Sequence, residues 1–390
     1  MKIGDLCEVV RGSSPRPKSD PRYYGGTVPR LMVADLTRDG KIVSARIDSL
    51  TELGAKQSRL MQQGDMVIAV SGAPGLPAIL AHQACIHDGF VGLRNLDLMR
   101  ICPNFLYSYL RFIRTTSNSQ AVGAIFKNLT TDQIKGIDIP ELPLKEQKRI
   151  AEVLDRAQSL ISKRREAIAQ LDTLTQAIFL EMFGDPTTNP KGWEKGKPLG
   201  DIAEIVSGIT KGRKLNGQKV REIPYLAVVN VQDRMLDLTV LKFIEATENE
   251  ILRYKLQVND LLLTEGGDPD KLGRGTLWNG ELPECIHQNH IFRVRITLNS
   301  LDPLFLNWLI SSDYGKKYFL KQAKQTTGIA TINMTQLRGF PLLIPPLTLQ
   351  QEFARRVEAV EKLKTAHCAS LSELDALFAS LQHRAFRGEL

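Results

Sequence analysis

The residues with the clearest chemical role in this sequence are two clusters of lysine and arginine. Residues 11–30 contain five basic side chains against one acid, Asp20, and residues 207–221 contain five against none. Grouped cations suit the phosphates of a nucleic acid, because each can neutralise one backbone charge. Two solvated loops would have the same composition, but the recurrence at equivalent places in the sequence favours nucleic-acid contact. The net charge of +8 is consistent with this interpretation.

A second group of candidate contacts follows two apolar runs that each end in a glycine-containing turn. The turns begin at Ser71 and Glu265. Glycine permits close backbone approach to a ligand, and loops on a rigid scaffold often carry recognition, although plain hairpin turns are the alternative. A carboxylate can accept from cytosine N4, and the amides of Gln288 and Asn289 match adenine. The candidate DNA contacts are Arg11, Ser13, Arg16, Lys18, Arg22, Ser71, Lys127, Thr210, Lys211, Arg213, Lys214, Glu265, Asp268, Lys271, Arg274, Gln288 and Asn289.

A repeated Cys-Ile-His sequence raises the possibility of a zinc site. Cys85, His87, Cys285 and His287 could together supply two sulfur and two nitrogen ligands. The two pairs lie in different copies of the repeat described below, and two ligands alone do not close a tetrahedral site. A duplicated buried strand explains the pattern better, so we predict no metal site.

Sequence motifs for catalysis are absent. The chain has no Gly-x-x-x-x-Gly-Lys-Ser/Thr loop for ATP, no Asn/Asp-Pro-Pro-Tyr/Phe run for amino methylation and no glycine-rich loop for S-adenosylmethionine. The acidic and lysine residues of a metal-dependent nuclease are missing as well. The sequence therefore predicts a chain that is not an enzyme and that holds no cofactor.

The elements that position these residues occur twice in the sequence. An offset of 203 positions, from Leu144 to Leu347, aligns the segments 144–183 and 347–386 without a gap. Earlier landmarks also repeat, since Ile3-Gly4-Asp5-Leu6 matches Leu199-Gly200-Asp201-Ile202. Strand-like runs and a short helical pattern follow each landmark. We predict an α+β fold class with two similar mixed α/β domains, at 1–143 and 185–346.

The two aligned segments have apolar residues at alternating steps of four and three, which is the heptad pattern of a coiled coil. About 38 residues in such a helix span roughly 57 Å. An apolar face of this length should not stay exposed to water on either helix. We therefore predict that the helices, at 144–184 and 347–390, pair antiparallel. We also predict that the repeats are related by a pseudo-two-fold axis. Thr348 could cap the second helix. The predicted seam comprises Ile150, Leu154, Ile161, Ile168, Leu171, Ile178, Phe353, Val357, Val360, Leu371, Leu374, Phe378 and Leu381.

Over its whole length the chain resembles the specificity subunit of Type I restriction-modification enzymes. The resemblance is carried by the domain openings, by Gly192-Trp193, and by the segments 139–150, 344–353 and 384–390. It implies two target-recognition domains that each recognise half of a split double-stranded DNA site. The helices would set the spacing and dock two methyltransferase subunits, and restriction and translocation subunits would join through the complex. S-adenosylmethionine, ATP and Mg²⁺ would then belong to the partner subunits.

The main alternative is a standalone coiled-coil protein, DNA-binding or structural, without methyltransferase partners. Five cysteines without a Cys-x-x-Cys spacing suit a reducing compartment, and acids occupy the position where a signal peptide needs an apolar run. No stretch approaches the length of a membrane span. These features predict a cytoplasmic protein with no membrane association.

Overall fold

The computed structural model describes residues 1–117, 130–215, 217–268, 272–326 and 329–390. The chain divides into two compact units. The first comprises Met1–Glu166 and Cys368–Leu390, and the second comprises Ala167–His367. Each unit therefore contains one mixed α/β domain together with part of both long helices.

The first domain is built on two sheets. Its strands are β1 (Glu8–Arg11), β2 (Tyr24–Leu31), β3 (Ile42–Val43), β4 (Asp48–Leu50), β5 (Arg59–Met61), β6 (Met66–Ala69), β7 (Pro77–Leu80), β8 (Ala84–Ile86) and β9 (Phe90–Arg94). Its helices are α1 (Val33–Asp39), α2 (Glu52–Lys56), α3 (Pro103–Ser117) and α4 (Thr131–Lys135), and the long helix α5 (Leu144–Phe183) follows them. The sheet orders are β1-β9-β6-β7-β3 and β4-β2-β8-β5. Strands β6, β7 and β8 are buried along their length, which explains their continuous apolar sequences.

The second domain contains more short strands. They are β10 (Lys195–Pro198), β11 (Ala203–Ser207), β12 (Arg221–Leu226), β13 (Val231–Gln232), β14 (Met235–Leu236), β15 (Lys242–Ala246), β16 (Leu261–Thr264), β17 (Gly266–Gly267), β18 (Gly275–Leu277), β19 (Ile286–His287), β20 (Ile291–Ile296), β21 (Lys324–Thr326), β22 (Ile329–Thr331) and β23 (Pro341–Leu343). The helices are α6 (Glu248–Tyr254), α7 (Pro303–Ser311), α8 (Asp313–Gln322), α9 (Met334–Arg338) and the long α10 (Leu347–Phe386). Two sheets have the orders β11-β20-β16-β18 and β15-β12-β19.

The two domains share their sheet topology. Strands β1, β9, β6 and β7 have the same neighbour order as β11, β20, β16 and β18. The second sheet of each domain contains a parallel pair formed by distant segments, with Leu31 opposite Ile86 and Leu226 opposite His287. The predicted fold class, with two similar α/β domains and two long helices, is confirmed.

Both long helices begin at Leu144 and Leu347 as the sequence predicted, and they end at Phe183 and Phe386, one and four residues before the predicted bounds at 184 and 390. Gly184 follows α5 with φ +75° and donates its N–H to the Leu180 carbonyl at 2.8 Å, which is a glycine helix ending. The predicted Thr348 cap is wrong. Because α10 already begins at Leu347, Thr348 lies inside the first turn, and the Gln350 N–H donates to the Pro346 carbonyl at 3.2 Å.

Within each unit the two helices run antiparallel. Ile150 and Leu154, near the start of α5, share a hydrophobic core with Phe378 and Leu381, near the end of α10, and Phe183 at the end of α5 contacts Phe353 near the start of α10. In the first unit Arg165 pairs with Asp375 at 3.1 Å. In the second unit Lys364 pairs with Asp172 at 2.5 Å. The helix ends enter the domain cores as aromatic clusters. Phe386 contacts Phe105, Tyr109 and Phe112 in the first unit, and Phe183 contacts Phe179, Phe305 and Phe353 in the second.

The predicted seam residues differ in how far they are buried. Ile150, Leu154, Ile161, Leu171, Phe353, Val357 and Val360 are buried. Ile168, Ile178, Leu371, Leu374, Phe378 and Leu381 are half-buried. The helices among the described residues are too short or too polar to cross a membrane.

Candidate nucleic-acid interface

The basic loop of the first domain connects β1 to β2 and is tied to the sheets at its start. The Ser13 N–H donates to the Ile86 carbonyl at 3.1 Å, and its hydroxyl donates to the Gln57 carbonyl at 2.9 Å. Ser13 therefore anchors the loop, and its hydroxyl proton is already used. Arg11 at the end of β1 and Lys18 in the loop are exposed to solvent.

The arginines of this loop differ in how far their charge is compensated. Arg22 forms a forked pair with Asp20, with Nη2 at 2.7 Å from Oδ2, and this contact lowers the pKa of the carboxyl group. Arg16 is 65% exposed and lies 3.9 Å from Asp88, a much looser contact. Lys18 lines a cavity of about 590 Å³ in the same domain. Arg16 and Lys18 are thus better placed than Arg22 to meet a phosphate.

A hydrogen-bonded network supports the base of the same loop. Arg30 on β2 is half-buried, pairs with Asp48 at 2.5 Å and donates to the Ser14 hydroxyl oxygen at 3.0 Å. The Ser14 hydroxyl donates in turn to Asp88 at 2.7 Å, and this bond is the main reason that the pKa of Asp88 is lowered. Arg30 therefore holds the loop in place.

The basic loop of the second domain lies between β11 and β12. Thr210, Lys211 and Lys214 are exposed, and the Lys211 ammonium lies 6.0 Å from the centre of the Tyr225 ring. Arg213 is different. Its guanidinium pairs with Glu250 on α6 at 2.5 Å and donates to the Glu245 carbonyl at 2.7 Å. The pairing lowers the pKa of Glu250 to about 2. Arg213 thus fastens the loop to α6, and Lys211 and Lys214 carry its accessible charge.

Two amide residues of the second domain lie beside its basic loop, a contact that the sequence alone did not show. In the second domain the Ile209 N–H donates to the His287 carbonyl at 2.8 Å, and the Asn289 N–H donates to the Ile209 carbonyl at 3.0 Å. Gln288 and Asn289 therefore lie next to the basic loop. The Glu265 carboxylate pairs with His290 at 2.6 Å, so it is engaged with a residue that sequence reasoning missed as a contact. The signal that could have identified His290 is its position directly after two amide side chains.

The remaining candidates have different surroundings. Ser71 is exposed and precedes Gly72, which has φ +73°. Asp268 is exposed at the end of a described segment. Arg274 is half-buried, and its guanidinium donates to the side-chain oxygen of Gln232, a residue of β13, at 3.2 Å. This hydrogen bond ties Arg274 to the protein. Lys127 and Lys271 lie outside the described residues.

The repeated Cys-Ile-His sequence forms buried strands, as the sequence predicted. Cys85 and Ile86 belong to β8, and Ile286 and His287 to β19. The two nitrogens of His287 contact the carbonyls of Tyr254 and Val206 at 3.1 and 3.3 Å, and burial lowers its pKa to about 4. Among the described residues no group of three or more histidine, cysteine or acidic side chains is arranged to hold a metal ion.

Both copies of the repeat match a known protein family. The family described as the Type I restriction modification DNA specificity domain matches the chain twice, over residues 1–171 and 190–374. The two matches together cover most of the chain and correspond to its two copies.

Individual relatives match along the entire chain. The specificity subunit of the Type I restriction enzyme StySPI from Salmonella potsdam is 25% identical over 413 aligned positions, covering 100% of this chain and 88% of that subunit. The EcoKI specificity subunit from Escherichia coli strain K12 is 24% identical, with the same coverage of 100% and 88%.

Solved structures share the fold. A structure from a study of complex assembly and conformational transition in the Type I restriction-modification system has a TM-score of 0.62 at 19% identity, covering 100% of this chain and 97% of that one. The S subunit of a Type I system from M. genitalium has a TM-score of 0.55 at 14% identity, covering 99% and 95%. With two matches to one family and the sheet topology repeated in both copies, the chain belongs to the Type I restriction-modification DNA specificity family.

Proposed function

We propose that this chain is the non-catalytic sequence-recognition subunit of a Type I restriction-modification complex, and that each domain recognises one half of a bipartite double-stranded DNA target. The observation that carries the proposal is the repeated placement of an exposed basic loop after the first strand of the same sheet, at Arg16 and Lys18 in one domain and at Lys211 and Lys214 in the other. Duplicated loops of this kind suit two separate contacts with the DNA backbone.

A footprint of the full chain on its selected DNA tests the proposal. We expect two protected major-groove patches separated by a spacer that the protein does not recognise. Deleting residues 187–346 should remove one patch and retain the other. A single continuous site that survives this deletion unchanged would rule out bipartite recognition.

We further propose that the long helices dock two methyltransferase subunits. Five exposed leucines lie on the two long helices among the described residues, and four of them form two pairs, each with one leucine from each helix; the fifth is Leu180. The pairs are Leu160 and Leu377, at 54% and 53% exposure, in the first unit, and Leu174 and Leu363, at 45% and 49%, in the second. The ion pair between Arg165 and Asp375 sets the first two leucines within about one helical turn of each other. Exposed apolar patches are typical of protein-binding surfaces.

The leucines obey the same offset of 203 positions that relates the two copies, since Leu160 matches Leu363 and Leu174 matches Leu377. Two equivalent patches suit two copies of one partner. Replacing Leu160 and Leu377 with aspartate should remove one methyltransferase subunit from the complex, measured by native mass spectrometry. Leu252→Asp, at a 75% exposed leucine on α6, is the control that should retain both. Full retention in the double variant would contradict this docking surface.

The catalytic steps of such a complex belong to other chains in this proposal. S-adenosylmethionine would bind to the methyltransferase subunits, and ATP and Mg²⁺ to the restriction and translocation subunits. A standalone coiled-coil protein is the weaker explanation, because both family matches are to a Type I restriction modification DNA specificity domain.

A further inference from the structure

Three side chains of the second domain form a hydrogen-bonded chain at the surface. The Glu265 carboxylate lies 2.6 Å from Nδ1 of His290, and Nε2 of His290 lies 3.4 Å from the Asn289 side-chain nitrogen. Glu265 follows β16, and the other two residues precede β20. His290 is 55% exposed and Glu265 is 34% exposed, so a ligand can reach the group.

The backbone beneath these side chains is held by several hydrogen bonds. The Glu265 N–H donates to the His290 carbonyl, and the Ile332 N–H donates to the Glu265 carbonyl, both at 2.9 Å. The Ser207 hydroxyl donates to the Asn289 carbonyl at 2.6 Å. A side chain on backbone fixed in this way loses little freedom on binding, which favours discrimination between ligands.

The first domain repeats this backbone without these side chains. Ala69 lies opposite Phe90 just as Thr264 lies opposite Ile291, and the next hydrogen bond runs from the Val70 N–H to the Gly89 carbonyl at 2.8 Å. Val70, Gly89 and Asp88 therefore stand where the second domain has Glu265, His290 and Asn289. The fold forms without the three polar residues, so they are not required for this strand pairing.

The direction of the hydrogen bonds among Glu265, His290 and Asn289 determines which groups of the Asn289 amide are left for a ligand. When Nδ1–H of His290 donates to Glu265, a neutral ring leaves the lone pair of Nε2 to accept one N–H from Asn289. One N–H and the carbonyl oxygen of the Asn289 amide then remain, side by side. Adenine presents the complementary pair in the major groove, with N7 as acceptor and the N6 amino group as donor.

We propose that Asn289 is the adenine-recognising residue of the second domain, and that His290 and Glu265 are positioning residues that orient its amide. The proposal rests on the proposed function, because it assigns a base to one of the two domains. The adjacent basic loop supports it. The backbone N–H of Asn289 donates to the Ile209 carbonyl, and Thr210 and Lys211 follow Ile209 directly, where they can contact the backbone of the same DNA segment.

Selection from a random double-stranded DNA library by the full chain tests this assignment. The wild-type chain should select an adenine at one position of the second half-site. Asn289→Asp leaves only acceptors, so it should shift that position towards cytosine, whose N4 amino group is a donor. The preference for adenine should fall by about tenfold or more, because a bidentate contact of this type is worth about 1–3 kcal/mol. The other positions should be unchanged.

The positioning role has its own readout. His290→Ala should broaden the same single position, and His290→Gln, which keeps an acceptor near the place of Nε2, should restore the adenine preference. Asn299→Asp, at an exposed asparagine of the same domain, is a charge-matched control that should alter no position. Thermal unfolding of each variant shows that the domain remains folded.

The outcomes separate the two proposals. If the wild-type chain selects a bipartite site that the Asn289 and His290 variants leave unchanged, or if these variants weaken binding to all sequences alike, the assignment of Asn289 is overturned and the proposed function stands. If the wild-type chain selects no second half-site at all, the proposed function fails with it.

Discussion

Gln147 and Gln350 make equivalent sets of hydrogen bonds from the first turns of the two long helices, and both side chains are fully buried. The side-chain oxygen of Gln147 accepts a hydrogen bond from the Cys102 N–H at 2.8 Å. The side-chain NH2 of Gln147 donates to the backbone carbonyls of Arg100 and Leu142, both at 2.9 Å. The side-chain oxygen of Gln350 likewise accepts a hydrogen bond from the Asp302 N–H at 2.8 Å. Its side-chain NH2 donates to the backbone carbonyls of Ser300 and Pro345 at 3.3 and 2.7 Å. Each glutamine joins a domain, its proline-containing exit and a long helix.

Replacing Gln350 with leucine should destabilise the second unit. The substitution would leave one N–H and two carbonyls without their partner in a buried place, and each such group costs about 1–3 kcal/mol. We expect a loss on the order of 3 kcal/mol in the free energy of unfolding, measured by urea denaturation. Gln176→Leu, at an exposed glutamine of α5, should change it by less than about 0.5 kcal/mol. Equal effects of the two substitutions would show that the buried bonds contribute nothing.

The accessible lysines of the second basic loop should act on affinity without changing sequence preference. Replacing Lys211 and Lys214 with glutamine should weaken binding to all DNA sequences and reduce the slope of log affinity against log salt by about two, one per lost phosphate contact. Binding titrations at several salt concentrations measure this slope. An unchanged slope would show that these lysines do not contact phosphate.

Arg213 gives a contrasting expectation because it pairs with Glu250. Arg213→Gln should leave the salt slope nearly intact and instead lower the thermal stability of the second unit. If this variant alone reduced the salt slope as much as the loss of a phosphate contact does, the ion pair between Arg213 and Glu250 would have to open when DNA binds.

The contrast between Arg213 and Lys211 illustrates what the sequence could predict. The repeat, the strand runs and both long helices follow from local periodicity and from glycine and proline signals, which depend on neighbouring residues. The salt bridge from Arg213 to Glu250 and the parallel pairing of Leu226 with His287 join segments far apart in sequence. The pattern of charges gave the place of the loop, whereas the tertiary contacts determine which of its cations remain accessible.

The buried His287 should make the second unit sensitive to acid. Its pKa is lowered to about 4 because burial disfavours the imidazolium form, against about 6.5 in the unfolded chain. A depressed folded-state pKa stabilises the protein fully above about pH 6.5, and this contribution is lost as the pH falls towards 4. Between pH 7.5 and 5 the free energy of unfolding should fall by about 2 kcal/mol from this group.

Urea denaturation at the two pH values measures this dependence. His287→Gln should unfold with a smaller difference between pH 7.5 and 5, whatever its absolute stability. His82→Gln, at an exposed histidine, should retain the full difference. An unaltered pH dependence in His287→Gln would assign the acid sensitivity to other groups.

The length of the long helices should set the DNA spacer. Inserting four residues, about one turn, into α5 lengthens that helix by about 6 Å. We expect the preferred spacer to lengthen by about one or two base pairs, at about 3.4 Å each, as measured by selection from libraries of varied spacer length. The same insertion between Thr187 and Pro198, in the connection that follows α5, is the control and should leave the spacer unchanged. A spacer that ignores the helix insertion would refute the role of the helices as a ruler.

The two ends of the chain suit a circular permutation, because both pack on one core. Met1 exchanges backbone hydrogen bonds with Ile139 at 3.1 and 2.8 Å, and Met1 and Leu390 both contact the hydrophobic cluster of the first unit. A linker of about a dozen residues can join ends that lie close together at a surface.

Reopening the joined chain between Thr187 and Pro198 should yield a folded protein with unchanged target specificity, measured by thermal unfolding and DNA selection. Reopening it within β16, whose residues are all buried, should abolish folding. If the first permutant also fails to fold, a link between the termini cannot replace the connection at 187–198. That result would contradict the predicted pseudo-two-fold relation of the two copies.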